Sequence, residues 1–286
     1  MKPAPFRYHA PETIEEVVGL LAEYGDDAKV LAGGQSLVPV LALRLSSFEH
    51  LVDLNTVPSL SGIERVNGSV RIGATTRQAT VERSEVVARE VPLLSRATPL
   101  IGHFQIRNRG TLGGSLAHAD PASEYPAVAL ALDAVVEATG PTGVRHIPSA
   151  EFFESTWSTS LAAEEVVTAV SFPVWSGRCG FVIDEIARRS GDFALVGATA
   201  SVQVDADGAV QKTAISMFGV GSTPMRSQEA EAALIAGDST REVGRVAAAR
   251  LSPTDDIHAS GSYRKKVAAV MVRRVLDRAV EEARNV

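Results

Sequence analysis

The chain has 286 residues, 45% of them hydrophobic and 22% charged, with a formal net charge of −6. That length can bury a sizeable core in two or three compact units, and the composition excludes a disordered or membrane-embedded chain. Acidic and basic residues are interleaved, so no basic stripe tracks a phosphate backbone and nucleic acid is not expected as a partner. The start, Met1-Lys2-Pro3-Ala4-Pro5-Phe6-Arg7-Tyr8, lacks the apolar run and cleavage site of a secretory signal, and Arg44 interrupts the longest apolar segment. No membrane span is therefore expected, and the chain reads as cytoplasmic. One cysteine, Cys179, excludes an internal disulfide and a cysteine cage for iron–sulfur or zinc, so redox chemistry here requires another cofactor.

Along the chain, Thr13-Ile14-Glu15-Glu16 is a capping box. Ile14, Val17, Val18 and Leu21 then recur at helical spacing until Gly25, which predicts a first helix. A short buried strand over 29–32 runs into Gly33-Gly34-Gln35-Ser36, and 37–45 predicts a second helix. Strands are expected over 50–54 and 69–73, the latter after an Asn67-Gly68 turn, with 60–66 as a connecting strand. Helices are expected over 78–89 and 92–98. A second glycine-rich segment follows, Arg109-Gly110-Thr111-Leu112-Gly113-Gly114-Ser115, then a helix over 123–132 and strands over 134–139 and 165–172. Breakers in 173–178 predict a linker, with a domain boundary near 176. Beyond it, long strands over 194–204 and 209–219, a helix over 227–235 and an amphipathic last helix over 262–284 make a second α+β unit.

A single Gly-Gly at a strand end is either a tight turn or a cradle for a ligand. Two such segments, each followed by a serine (Ser36 and Ser115), shift the balance: glycine lets backbone N–H groups approach an anion closely and a hydroxyl adds a donor. They predict two loops clasping a diphosphate from opposite sides. Neither has the spacing of a dinucleotide-binding G-x-G-x-x-G turn or a phosphate-binding G-x-x-x-x-G-K-[ST] loop. Arg107 and Arg109 flank the second segment as either diphosphate partners or surface ion pairs. His118 and Asp120 lack a third ligand for a metal; Asp120 is expected to hold the turn into the next helix.

Taken together, 32–37 (Ala32-Gly33-Gly34-Gln35-Ser36-Leu37) and 106–121 resemble the FAD-binding medium subunit of the carbon monoxide dehydrogenase and xanthine dehydrogenase group of molybdenum hydroxylases. The resemblance continues through 185–194 and 218–224, so it spans nearly the whole chain. It implies an α+β fold: a two-part FAD-binding domain of the vanillyl-alcohol oxidase-like (PCMH) type over 1–176, subdivided near 57, and a smaller C-terminal α+β domain over 177–286.

Carried over by residue, the resemblance implies that Ala32, Gly33, Gly34, Gln35, Ser36 and Leu37 supply backbone donors to the FAD diphosphate, with Thr111, Gly113, Gly114 and Ser115 opposite. Ile101 and Gly102 would line the flavin or adenine region, His118 would lie near the flavin, and Glu124 would accept from ribose or ribityl hydroxyls. Ser115 and Glu124 stand where many relatives have Asn and Asp. The resemblance also implies partners: a large molybdopterin subunit that oxidises substrate, a small subunit with two 2Fe–2S clusters, and assembly as a dimer of heterotrimers that passes electrons to an external acceptor. A flavin takes electrons singly or in pairs and so suits that station. No catalytic residue and no metal ligand is expected in this chain. A self-contained flavin oxidoreductase of the same fold, or a nucleotide-binding module without flavin, are the competing readings.

Overall fold

The computed structural model describes residues 2–286, which build three layers in chain order. The first begins with β1 (Arg7–His9), α1 (Ile14–Tyr24), β2 (Ala28–Leu31), α2 (Leu37–Ala42) and β3 (His50–Asp53). The strands form a parallel sheet in the order β1-β3-β2, and α1 packs Val17 and Leu21 onto Val52 and Leu54. Thr13 caps α1 by accepting from the Glu16 N–H (3.2 Å), but the Glu16 carboxylate reaches back to the Glu12 N–H (2.7 Å). The capping box is thus displaced by one residue at its return bond. Gly25, at φ +50°, ends the helix.

The second layer is a five-stranded antiparallel sheet, order β4-β5-β10-β6-β7. Its elements run β4 (Ile63–Val66), β5 (Ser69–Gly73), α3 (Gln78–Arg83), α4 (Glu85–Glu90), α5 (Pro92–Ala97), α6 (Phe104–Arg107), α7 (Leu112–His118), α8 (Glu124–Ala131), β6 (Val135–Gly140), β7 (Gly143–Pro148), α9 (Ser149–Phe152), β8 (Phe153–Ser155), β9 (Ser158–Thr159) and β10 (Val166–Pro173). The helix expected over 78–89 is two helices. Ser84 leaves helical geometry (ψ 117°) and its hydroxyl accepts from the Val87 N–H (3.3 Å), so a serine inside an apolar-periodic run acts as a new N-cap. β4 begins at Ile63 because Pro58–Leu60 is a 3₁₀ turn. The second glycine segment also departs from expectation: Gly113 and Gly114 lie inside α7, capped by Thr111, whose hydroxyl accepts from the Gly114 N–H (3.1 Å).

The third layer comprises β11 (Arg178–Ala187), β12 (Ala194–Val204), β13 (Val210–Phe218), β14 (Met225–Arg226), α10 (Gln228–Ile235), α11 (Thr240–Ala249) and α12 (Gly261–Asn285). The sheet is antiparallel in the order β11-β12-β13-β14 and is covered on both faces. Val196, Ala198, Ala200, Val202, Ile215 and Met217 meet α10–α12, whereas Phe181, Ile183, Ala214 and Phe218 join the core of the second layer. The Ser216 hydroxyl donates to the Ala127 carbonyl on α8 (2.8 Å), and Gly219 N–H to Pro121 O (2.8 Å). Such double-sided burial explains why β12 reads as a near-continuous run of small and β-branched residues without alternation. β7, β11, α11 and the β8–β9 hairpin have no counterpart in the sequence expectations.

Candidate functional site

The two glycine segments meet. A Cβ added at Gly33 would lie 2.4 Å from the Arg109 carbonyl oxygen and 2.7 Å from the Gly110 Cα, and one at Gly114 would lie 3.3 Å from the Ala32 Cβ. The first requirement on these glycines is therefore close packing of one backbone on another; Gly113 likewise abuts Ala74. Gly34, at φ +72°, makes the turn between β2 and α2.

The segments differ in what they offer a ligand. In the second, every N–H from Leu112 to Ser115 is occupied: Leu112 donates to Thr76 O (3.1 Å), Gly113 to Ala74 O (2.9 Å), Gly114 to the Thr111 hydroxyl and Ser115 to Thr111 O (3.1 Å). The Thr111 N–H, which has no acceptor among the described residues, and the hydroxyls of Thr111 and Ser115 remain as donors there. In the first, the N–H groups of Gly33, Gly34, Gln35, Ser36 and Leu37 have no acceptor among the described residues, although Gly33 is buried and the rest half-buried. Half-buried backbone donors left unpaired in a row form an anion-binding concavity. The Ser36 hydroxyl makes no capping bond to α2 and is free to join them. The first segment thus offers a row of backbone donors, and the second offers the Thr111 N–H with the hydroxyls of Thr111 and Ser115.

A polar latch that sequence reasoning missed ties the segments together. The Asn55 amide donates to Ala32 O (2.9 Å), and the Arg77 guanidinium donates to the Asn55 side-chain oxygen (2.6 Å) and to Arg109 O (2.5 Å). Asp53 orients Asn55, accepting from its backbone N–H (2.8 Å), and takes the Tyr8 hydroxyl (2.5 Å). Burial and the neighbouring Arg109 charge hold the Arg77 pKa below the usual arginine value. Asp53-Leu54-Asn55 at a strand end is the signal that could have found it. Arg77→Leu leaves two acceptors without a donor, so it is expected to destabilise the chain by about 1–2 kcal/mol. That is a fall in Tm of about 2–8 °C in a thermal melt, with Arg77→Lys, unable to span both acceptors, recovering less than half.

The remaining predicted residues lie on the loop before α6 and on α7 and α8. Ile101 and Gly102 form a loop fixed by Arg107, which donates to their carbonyl oxygens (3.1 and 3.2 Å) while pairing with Glu82 (2.8 Å). Arg107 is therefore a structural clamp and not a diphosphate partner. The Arg109 guanidinium has no carboxylate partner among the described residues, leaving its role open to a ligand. His118 closes α7; burial lowers its pKa below the ordinary imidazole value, opposed by Asp120. Asp120 accepts from the Ala122 N–H (2.9 Å) and the Trp157 indole (3.2 Å), holding the turn as expected. Trp157 has φ +60° and stacks at 6.3 Å on His118. Glu124 is the first residue of α8, only 7% exposed, and burial followed by the Glu185 charge pushes its pKa up to about 8. Among the described residues no cluster of metal-ligating side chains forms and no helix is long and apolar enough to cross a membrane.

A row of unpaired backbone N–H groups packed against a second glycine segment, with a buried acid at the start of the next helix, suits an anionic ligand. Residues 4–175 match the family described as FAD binding domain in molybdopterin dehydrogenase, and residues 182–279 match the CO dehydrogenase flavoprotein C-terminal domain. The chain therefore belongs to the FAD-binding medium subunits of CO dehydrogenase and xanthine dehydrogenase-type molybdenum hydroxylases, and is a subunit of an oxidoreductase complex.

It is 44% identical over 290 residues to the 6-hydroxypseudooxynicotine dehydrogenase complex subunit alpha of Paenarthrobacter nicotinovorans, covering 99% of this chain and 97% of that one. It is 36% identical over 283 residues to the carbon monoxide dehydrogenase medium chain of Hydrogenophaga pseudoflava, covering 98% of each. Among solved structures, carbon monoxide dehydrogenase from Hydrogenophaga pseudoflava superposes with a TM-score of 0.95 at 37% identity, covering 99% of each chain. Quinoline 2-oxidoreductase from Pseudomonas putida 86 gives 0.94 at 35%, covering 99% of this chain and 100% of that one.

Proposed function

We propose that this chain holds one FAD at the junction of its first two layers and serves as the electron exit of its complex. The observation that carries the reading is the row of unpaired N–H groups from Gly33 to Leu37, which fits the diphosphate of a dinucleotide and has no other use in the fold. Thr111 and Ser115 donate from the opposite side, Glu124 accepts from polyol hydroxyls, and Ile101, Gly102 and His118 border the ring systems. Gly113 and Gly114 act by allowing α7 to approach Ala74 and Ala32, not by contacting the diphosphate through their own N–H groups.

Bound FAD supplies an interchange between one-electron and two-electron carriers. On this reading the electrons come from 2Fe–2S clusters of a small partner subunit, substrate is oxidised on a large molybdopterin subunit, and an external acceptor is reduced. The assembly is a cytoplasmic dimer of heterotrimers. Cys179 is the one cysteine, so the clusters must be ligated elsewhere.

The test is the visible spectrum of the purified full chain, with FAD added back if it emerges colourless. A flavin spectrum at one FAD per chain is expected, with no turnover of small oxidisable substrates unless partner chains are added. A chain that takes up no FAD overturns the reading, and turnover by the chain alone makes it a self-contained oxidoreductase.

A further inference from the structure

The third layer carries a polar group that the fold does not account for. Glu185 lies on β11, on the face that β11 turns toward the second layer, the same face as Phe181 and Ile183. One of its carboxyl oxygens is fully buried and has no hydrogen-bond partner. Its register places it beside Gly197, which in turn pairs with Phe218. The next residue, Gly219, donates to Pro121 O (2.8 Å), three positions before Glu124. This row of the third sheet therefore abuts the turn that delivers Glu124, and the two carboxyl groups are close enough for the Glu185 charge to act on Glu124.

Among the described residues no cation offsets them. The charges acting on Glu124 are Glu185 and Asp120, from the turn before α8; the charge acting on Glu185 is Asp184 on its own strand. The Asp184 carboxylate is itself occupied, accepting from the Glu185 N–H (3.0 Å) and from Arg278 of α12 (3.3 Å). Glu124 is more than nine-tenths buried, and apart from its own N–H no donor of the described residues reaches it. A buried Glu185 carboxyl oxygen without a donor, beside a Glu124 carboxyl with no donor but its own N–H, is costly to keep in an empty seam, and a ligand that brings donors relieves it.

We infer that Glu185 is a second carboxyl of the cofactor site, which together with Glu124 grips hydroxyl groups of the FAD polyol and so ties the C-terminal layer to the cofactor. The inference rests on the FAD reading above. A polyol presents several O–H donors on neighbouring carbons, and a carboxyl pair holding one proton between them accepts from two while donating one bond back. Ribityl and ribose hydroxyls share this chemistry. FAD binding then closes the seam between α8 and β11, which otherwise keeps like charges together.

FAD titration into the deflavinated full chain at about pH 7, with melting temperatures of the FAD-free forms, tests this. Glu185→Gln keeps the shape and removes the charge. It is expected to weaken FAD by about tenfold, the weight of one bond to a charged acceptor, while raising the melting temperature of the FAD-free chain. Glu185→Ala is expected to weaken FAD at least as much. A merely structural carboxyl moves the melting temperature and leaves affinity alone, so opposite signs in the two measurements support the inference. Repeating the titration with FMN and with ADP sorts the source: loss confined to FMN points to ribityl hydroxyls, loss confined to ADP to ribose. FAD affinity within twofold of wild type in both variants overturns the inference and leaves the FAD reading standing, as when the donor is a lysine or arginine of a partner subunit. A wild-type chain that binds no FAD overturns both.

Discussion

Gly33→Ala is expected to strip the chain of FAD and to lower its stability together. The added methyl would sit 2.4 Å from the Arg109 carbonyl oxygen and 2.7 Å from the Gly110 Cα, and neither atom belongs to a side chain that can rotate away. Relief requires the β2–α2 turn to move off the start of α7. That movement strains the Asn55–Arg77 latch and pulls the N–H row of 33–37 away from Thr111 and Ser115. Overpacking of this kind costs about 1–3 kcal/mol, and opening the nest is expected to weaken FAD by about tenfold or more, which corresponds to about 1.4 kcal/mol. Gly19→Ala is the matched control. It lies in α1 with nothing within 4 Å of the added Cβ, and should leave FAD content unchanged while raising stability by up to about 1 kcal/mol through helix propensity. Flavin content and thermal melts of both variants decide it: a Gly33→Ala chain with wild-type flavin and wild-type Tm would mean that the two segments do not need their close contact.

That contact also marks how far the sequence could be read. The meeting of the two glycine segments was legible because the same residue types recur before a hydroxyl, and the family resemblance fixed their order along the chain. Their division of labour was not. Whether an N–H is free depends on its neighbours in space, and Gly113 gives its N–H to Ala74, a residue 39 positions earlier at the end of β5. The latch was hidden for a similar reason, since Asn55, Arg77 and Arg109 sit on three separate turns with no shared periodicity. Local signals succeeded where one element settles its own form, as for α1 between Thr13 and Gly25. They failed where a single polar residue changes the element, as Ser84 does by splitting α3 from α4. β11 escaped because its core-facing stretch, Phe181-Val182-Ile183, is short and leads into the charged 184–189 run. That run conceals a strand whose Glu185 faces the second layer.

Raising the pH from about 6.5 to 8 is expected to loosen the FAD-free chain. Burial, then the Glu185 charge and more weakly Asp120, push Glu124 from an ordinary value of 4.5 up to about 8; burial and then Asp184 push Glu185 up to about 7. In the unfolded chain both carboxyls ionise near their ordinary value, whereas the folded chain keeps protons longer. Their stabilising effect is therefore fully present below about pH 4.5, declines as pH rises above it, and is gone once pH has passed through 7 to 8. His118 acts in the opposite sense, because its depressed pKa makes folding proton-releasing below its ordinary 6.5; the net fall is cleanest above that value. Asp256, held down at about 2 by the Ala259 N–H and then Arg264, matters only in acid far below this window. One excess proton in the folded state gives a slope of about 1.4 kcal/mol per pH unit, so the loss across the window is on the order of a few kcal/mol. Urea unfolding of the deflavinated chain at a series of pH values measures it. Glu124→Gln should flatten most of the slope, and Glu124→Gln with Glu185→Gln nearly all of it. Stability that is flat or rising from pH 6.5 to 8 in the wild type, or that falls as steeply in the double variant, would show that these carboxyls do not carry the titration. Saturating FAD should flatten part of the same slope without any substitution, because hydroxyl donors favour the singly ionised pair that the empty seam resists.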